Sequence, residues 1–210
     1  MSHIFNFLFA QYSDYARMDI VLEITAVIIG FASVWYSKQN NILVFPTGLI
    51  TTSIFVYLLF KWQFLGDMMI NGYYFIMSLY GWYIWTRKVD SEHVTPISRM
   101  TKREQFTGVI IFISTLLFVF VVYQIFDMWK GWVAYVDTLT TALFFVGMWL
   151  MAKRKIENWI FWIIADIISV PLYFYKGFTF TSLQYLGFTI LAIFGFLAWK
   201  KHLNNIPQAA

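Results

Sequence analysis

Residues 106–126 read FTGVIIFISTLLFVFVVYQIF, an unbroken run without Asp, Glu, Lys or Arg. An α-helix needs about 20 apolar residues to cross roughly 30 Å of hydrocarbon, and this run supplies them. Helix follows because a segment surrounded by lipid must satisfy its own backbone N–H and C=O groups. Six further apolar runs lie at residues 20–36, 42–60, 64–85, 133–152, 159–175 and 180–199. Three precede 106–126 and three follow it. The composition agrees, with 60% of the chain hydrophobic and 12% charged, against about 25% charged in a soluble domain. The expectation is an all-α integral membrane protein of seven transmembrane helices.

The triplets on either side of 106–126 share landmarks. Glu23, Trp35, Gly81 and Trp85 correspond to Asp137, Trp149, Gly195 and Trp199, each 114 positions later. The offset reads 117 for Asn41 and Asn158 and 115 for Lys61 and Lys176. An internal duplication accounts for this order. Three helices per unit would invert the second copy, and the single helix between them restores its orientation. The repeats are then parallel, a carrier design in which substrate sites lie near the midplane between the repeats. The organisation expected is an outer N-terminal segment (1–19), a first three-helix repeat (20–86), a cytoplasmic loop (87–105), a linker helix (106–126), a second repeat (127–201) and a cytoplasmic tail (202–210). Within the first segment, residues 3–12 suit an interfacial helix. They lack the basic flank and small-residue cleavage site of a signal peptide.

The formal charge of +4 is a topology signal rather than a nucleic-acid footprint. Arg17, Lys61, Lys130 and Lys176 fall on one side of the seven-span arrangement, and the other 11 Lys and Arg residues fall on the opposite side. The richer side is cytoplasmic by the positive-inside rule. The amino terminus is expected outside and the carboxyl terminus inside.

Most tryptophans suit the aromatic belts at the two interfaces: Trp35, Trp82, Trp85, Trp149 and Trp199 at inner helix ends, and Trp62, Trp129 and Trp132 at outer ends. Trp162 lies deeper. Asn158, Trp162 and Asp166 follow at i, i+4 and i+8, so they share a helix face, which Ser169 and Tyr173 extend. A mid-membrane carboxylate costs at least about 2.5–3.5 kcal/mol on insertion scales, so it faces a bundle interior or a watery cavity. Asp137, Thr140, Thr141, Phe144 and Met148 form a face on the fifth helix. Asp67, Asn71 and Ser78 follow helical spacing on the third, and Thr181, Gln184 and Thr189 on the seventh. The candidate substrate-binding set is Asn158, Trp162, Asp166, Tyr173, Asn71, Thr141, Met148 and Gln184. Asp137 and Glu23, near outer helix ends, also suit the positive end of a helix dipole.

Other chemistries find no support. With no cysteine, disulfides and thiolate sites are excluded. His3, His93 and His202 lie at the termini and in a loop, so they cannot gather into a buried metal cluster. No Walker motif, HExxH or Ser-His-Asp arrangement is present, so neither a cofactor nor an enzymatic activity is expected.

Two stretches carry a resemblance to a known family. One is Leu65-Gly66-Asp67-Met68 with Tyr80-Gly81-Trp82-Tyr83-Ile84-Trp85. The other is Glu157-Asn158-Trp159-Ile160-Phe161-Trp162 through Asp166, followed by Leu172-Tyr173 and Tyr175-Lys176-Gly177. Over residues 20–201 the chain resembles the Pnu family of bacterial vitamin transporters. The resemblance implies a 3+1+3 plan similar to that of the sugar-carrying SWEET proteins, residence in the bacterial inner membrane and assembly as a possible homotrimer. It also implies uptake of nicotinamide riboside by facilitated diffusion, with intracellular phosphorylation trapping the vitamin. A nicotinamide riboside carrier is expected to hold an amide such as Gln near Asn71 and another near Met148. Asn71 keeps an amide on a shorter arm, whereas a thioether offers only a weak acceptor. Thiamine, also a cationic aromatic ring, is the competing substrate. A sugar carrier would need polar walls but no acid. A membrane scaffold or sensor would use the 87–105 loop and leave the buried polar faces idle.

Overall fold

The computed structural model describes residues 16–62, 65–90, 93–129, 131–176 and 178–205. The interfacial helix expected within residues 3–12 lies outside them, as do Lys130, Gly177 and the tail from Ile206. Among the described residues the chain forms seven long helices, α1 (Arg17–Lys38), α2 (Val44–Lys61), α3 (Leu65–Thr86), α4 (Lys102–Ile125), α5 (Trp132–Ala152), α6 (Asn158–Tyr175) and α7 (Thr179–Asn204). Among the described residues, all but α3 are long and apolar enough to cross a membrane. α3 has 22 residues, but Asp67, Asn71 and its tyrosines dilute its apolar character. It packs between α2 and α5.

In the first half α1 packs on α2 and α2 on α3; in the second, α5 packs on α6 and α6 on α7. The halves meet where α1 touches α7 and α3 touches α5, while α4 lies against α5. The halves also repeat one another in detail. Asn40 and Arg154, 114 positions apart, both take a left-handed backbone (φ 56° and 54°) in the turn after the first helix of each half. The same turn hydrogen bonds recur around them: Asn40 N–H to Ser37 O and Arg154 N–H to Met151 O, both 2.9 Å, and Asn41 N–H to Tyr36 O and Lys155 N–H to Leu150 O, both 2.9 Å. α2 and α6 each span 18 residues and start 114 positions apart. The offset of 117 at Asn41 and Asn158 is thus corrected, since Asn41 occupies the place of Lys155.

Aromatic packing obeys the same rule. Phe45 lies against Gly81 and Trp159 against Gly195, so close that an added Cβ would come within 2.2 Å and 2.5 Å of the rings. Phe45 meets Trp85 edge-on at 5.0 Å, and Trp159 meets Trp199 edge-on at 5.6 Å. Trp85 Nε1 donates to the carbonyls of Met151 (3.3 Å) and Ala152 (3.2 Å), and Trp199 Nε1 donates to that of Ser37 (3.0 Å). The last helix of each half therefore clasps the end of the other half's first helix. Trp85 and Trp199 are buried core residues, not the belt residues their place at helix ends suggests, because each indole N–H finds a carbonyl inside the bundle.

At the opposite end of the bundle, Lys61 pairs with Asp19 at 2.7 Å and Lys176 with Asp137 at 2.5 Å. Both pairs join the first helix of a half to the end of its second. The structural counterpart of the Asp137 pair uses Asp19, one turn before the Glu23 that the offset of 114 selects.

The segment between α3 and α4 is more ordered than a plain loop. Lys88–Asp90 (β1) and His93–Val94 (β2) pair antiparallel. Ser98 then bridges to Lys155 through Ser98 N–H to Arg154 O and Ile156 N–H to Ser98 O, both 3.0 Å. Ile97 is buried in the core with Trp85 and Trp159. Met100 N–H donates to Glu157 Oε2 at 3.1 Å. The Arg154 guanidinium donates to Thr95 O and lies 4.1 Å from the centre of the Trp85 ring. Burial lowers its pKa to about 10, which leaves it charged at neutral pH. α4 begins inside the expected loop, because Thr101 and Glu104 form a capping box.

Candidate substrate-binding site

A cavity of about 250 Å³ lies between the two halves. From the second half, α6 brings Trp162 and Asp166 to it on successive turns of one face. The Trp162 indole seats on Gly147 of α5: an added Cβ there would lie 2.4 Å from its Cδ1 and 2.5 Å from its Nε1. Trp159 props the same indole at right angles, with ring centres 5.4 Å apart. Asp166 is 3% exposed. Among the described residues no hydrogen bond or ion pair engages its carboxylate, which leaves it available to the cavity.

Phe144 and Met148 of α5 and Tyr185 and Phe188 of α7 extend this aromatic wall. Phe144 and Tyr185 stack at 5.9 Å, and Phe188 meets Phe31 of the first half at 4.6 Å. The facing wall is built from smaller residues, Ser33 and Ser37 on α1, Gly48 and Thr52 on α2, and Ser78 beside Tyr74 on α3. Behind it, Tyr73 joins the halves by stacking on Phe145 at 3.8 Å and donating to the Phe145 carbonyl at 3.0 Å.

The cavity thus brings together Trp162, Asp166 and Met148 from the sequence-derived set. The other five candidates lie off it. Asn158 is fully buried in the first turn of α6, where its Nδ2 donates to Lys155 O at 2.6 Å. Tyr173 packs 5.0 Å from Tyr185. Asn71 donates to Asp67 O, one turn back on its own helix, at 3.0 Å. Thr141 and Gln184 are half-buried away from the lining. Sequence reasoning passed over most of the facing wall, although the offset of 114 points to it: subtracted from Trp162 and Asp166, it gives Gly48 and Thr52.

Residues 20–201 match the nicotinamide mononucleotide transporter family. The chain belongs to that family. Membership makes it a multi-pass membrane transporter and not an enzyme, as the sequence resemblance implied. It is 23% identical over 205 residues to the nicotinamide riboside transporter PnuC of Escherichia coli K12, covering 85% of this chain and 84% of the relative. It is 26% identical to the PnuC of Haemophilus influenzae, covering 93% and 86%. The riboflavin/roseoflavin transporter RibM of Streptomyces davaonensis is 26% identical, with 79% and 84% covered. The fold of this chain matches the crystal structure of the vitamin B3 transporter PnuC, with a TM-score of 0.66, 22% identity, and 94% and 88% of the two chains covered.

Proposed function

We propose that this transporter carries nicotinamide riboside into the bacterial cell across the inner membrane, by facilitated diffusion followed by intracellular phosphorylation. The observation that carries the reading is the placing of Trp162 beside Asp166, which has no partner among the described residues, in a cavity between the halves. A flat cationic ring is attracted to an indole face by about 2 kcal/mol or more when desolvated, and the carboxylate adds a counter-charge. The names of the PnuC relatives support this substrate.

The relative named for riboflavin supports a second reading. The cavity, about 250 Å³, lies just below the roughly 300–1,000 Å³ of pockets for drug-sized ligands. Its size favours a single-ring nucleoside over a three-ring flavin, and a buried carboxylate finds no counter-charge on a neutral flavin. Thiamine shares the cationic ring but lacks a sugar to engage the hydroxyls of the facing wall.

The amino terminus lies outside and the carboxyl terminus in the cytoplasm, as the distribution of Lys and Arg supports. The parallel arrangement of the halves, the surrounding bilayer and assembly as a homotrimer belong to the same proposal. Labelled nicotinamide riboside, thiamine and riboflavin offered to cells lacking their own carriers test the assignment. Uptake of the riboside alone is the expected result, and uptake of either other vitamin in its place overturns it.

A further inference from the structure

The two walls of the cavity occupy equivalent places in the two halves, yet they differ in kind. Where the second half has Gly147, Met151 and Ala192, the first has Ser33, Ser37 and Ser78 at the positions 114 earlier. Where the second half has Trp162, the first has Gly48. In the second half an indole fills the groove over Gly147. In the first half Gly48 sends no side chain into that volume, and two hydroxyls border it. A Cβ placed on Gly48 would lie 3.3 Å from Ser78 Oγ and 3.6 Å from Ser33 Oγ.

The protons of both serines are already committed. Ser33 donates to Val44 O and Ser78 to Tyr74 O, each at 2.8 Å. A hydroxyl that donates keeps lone pairs to accept, so the pair offers acceptors beside Gly48. One turn along α1, Ser37 lines the same cavity, fully buried, and its hydroxyl has no hydrogen-bond partner among the described residues. Leaving such a group unsatisfied is costly, and a polar ligand group would relieve it.

We propose that Ser33, Ser37 and Ser78 around Gly48 form a polyol subsite that accepts hydrogen bonds from the vicinal hydroxyls of a pentose. Trp162 and Asp166 hold the cationic ring at the opposite wall. This rests on the vitamin-carrier reading and gives it a direction, with the sugar toward the first half and the ring toward the second.

Calorimetry on the purified full chain tests it with three probes. These are nicotinamide riboside, 1-methylnicotinamide (the same cationic ring without the sugar) and thiamine. Ser33→Ala combined with Ser78→Ala should weaken binding of the riboside about 10-fold, from two lost neutral hydrogen bonds, and leave 1-methylnicotinamide unchanged. Gly48→Ala, which places a methyl group between the two hydroxyls, should do the same. Unchanged binding of the methyl cation also reports that each variant is folded. Equal loss for the riboside and the methyl cation would make the serines structural and overturn the subsite. Unchanged riboside binding in the variants overturns the subsite while the vitamin assignment stands. A parent protein that binds thiamine but not the riboside overturns both.

Discussion

Trp162 and Asp166 stand one helical turn apart, and their substitutions should separate stacking from charge. Trp162→Ala should weaken riboside binding by roughly 1–2 kcal/mol, about 5- to 30-fold in calorimetry. Trp162→Phe should lose less, because a flat ring remains. Asp166→Asn should weaken binding of the cation more than that of a neutral analogue of the same shape; equal loss would mean that the carboxylate does not act as a counter-charge. Trp85→Ala should act differently. It removes a buried indole together with its hydrogen bonds to Met151 and Ala152, so stability should fall by about 3 kcal/mol or more. A marked drop in the thermal midpoint in detergent is the readout. At this scale the sequence is informative about depth and poor about direction. Trp162 betrays itself by lying too far inside its helix for a belt. Trp85 sits at a helix end, where a lipid-facing ring and a bundle-facing ring look alike. Ser33 and Ser37 are illegible for a related reason, since an isolated Ser in a membrane helix most often bonds its own backbone.

α4 is joined to the second half by charge as well as by packing. Glu104 accepts from the backbone of Thr101 in the capping box and pairs with Lys153 at 2.9 Å and Lys155 at 3.0 Å. Thr101→Ala removes a cap, worth about 1 kcal/mol. Glu104→Gln keeps an oxygen for the cap but loses both ion pairs. Thr101→Ala should therefore lower the thermal midpoint equally in low and high salt, whereas the deficit of Glu104→Gln should shrink as salt screens the parent's pairs. The helices themselves were legible, because apolar runs and charged ends mark the spans. The strap from Thr95 to Thr101 was not, because Ser98 finds its partners in the α5–α6 turn, more than fifty residues away. No local pattern announces such a pairing. The early start of α4 was there to be read, as Thr101-Lys102-Arg103-Glu104 is a capping-box spacing.

For the whole molecule, orientation and energetics can be tested independently. Reporter fusions after Asn205 and within residues 90–98 should both report the cytoplasm, as the positive-inside rule predicts from the distribution of basic residues; a periplasmic signal from either would reverse or break the arrangement. In sealed vesicles without ATP or ion gradients, the riboside should equilibrate and go no further. Accumulation driven by a proton or sodium gradient would recast Asp166 as a coupling carboxylate. The duplication was legible in a few landmarks, but its register needed the structure: one offset runs through the turn at Asn40 and Arg154, where residue identity has diverged and backbone shape has not. The reciprocal clasps, Trp85 on Met151 and Trp199 on Ser37, are one bond made twice. Two copies of a half-length chain could grip each other in the same way, but such a homodimer would face itself across the cavity with identical walls. Its two walls could not tell one end of a passenger from the other, so an unlike-ended molecule would fit equally well either way round. Tethering the halves in one polypeptide, with α4 as the strut between them, frees each wall to change alone, and the two-ended site proposed above would then hold a passenger with a charged flat head and a hydroxylated tail one way round.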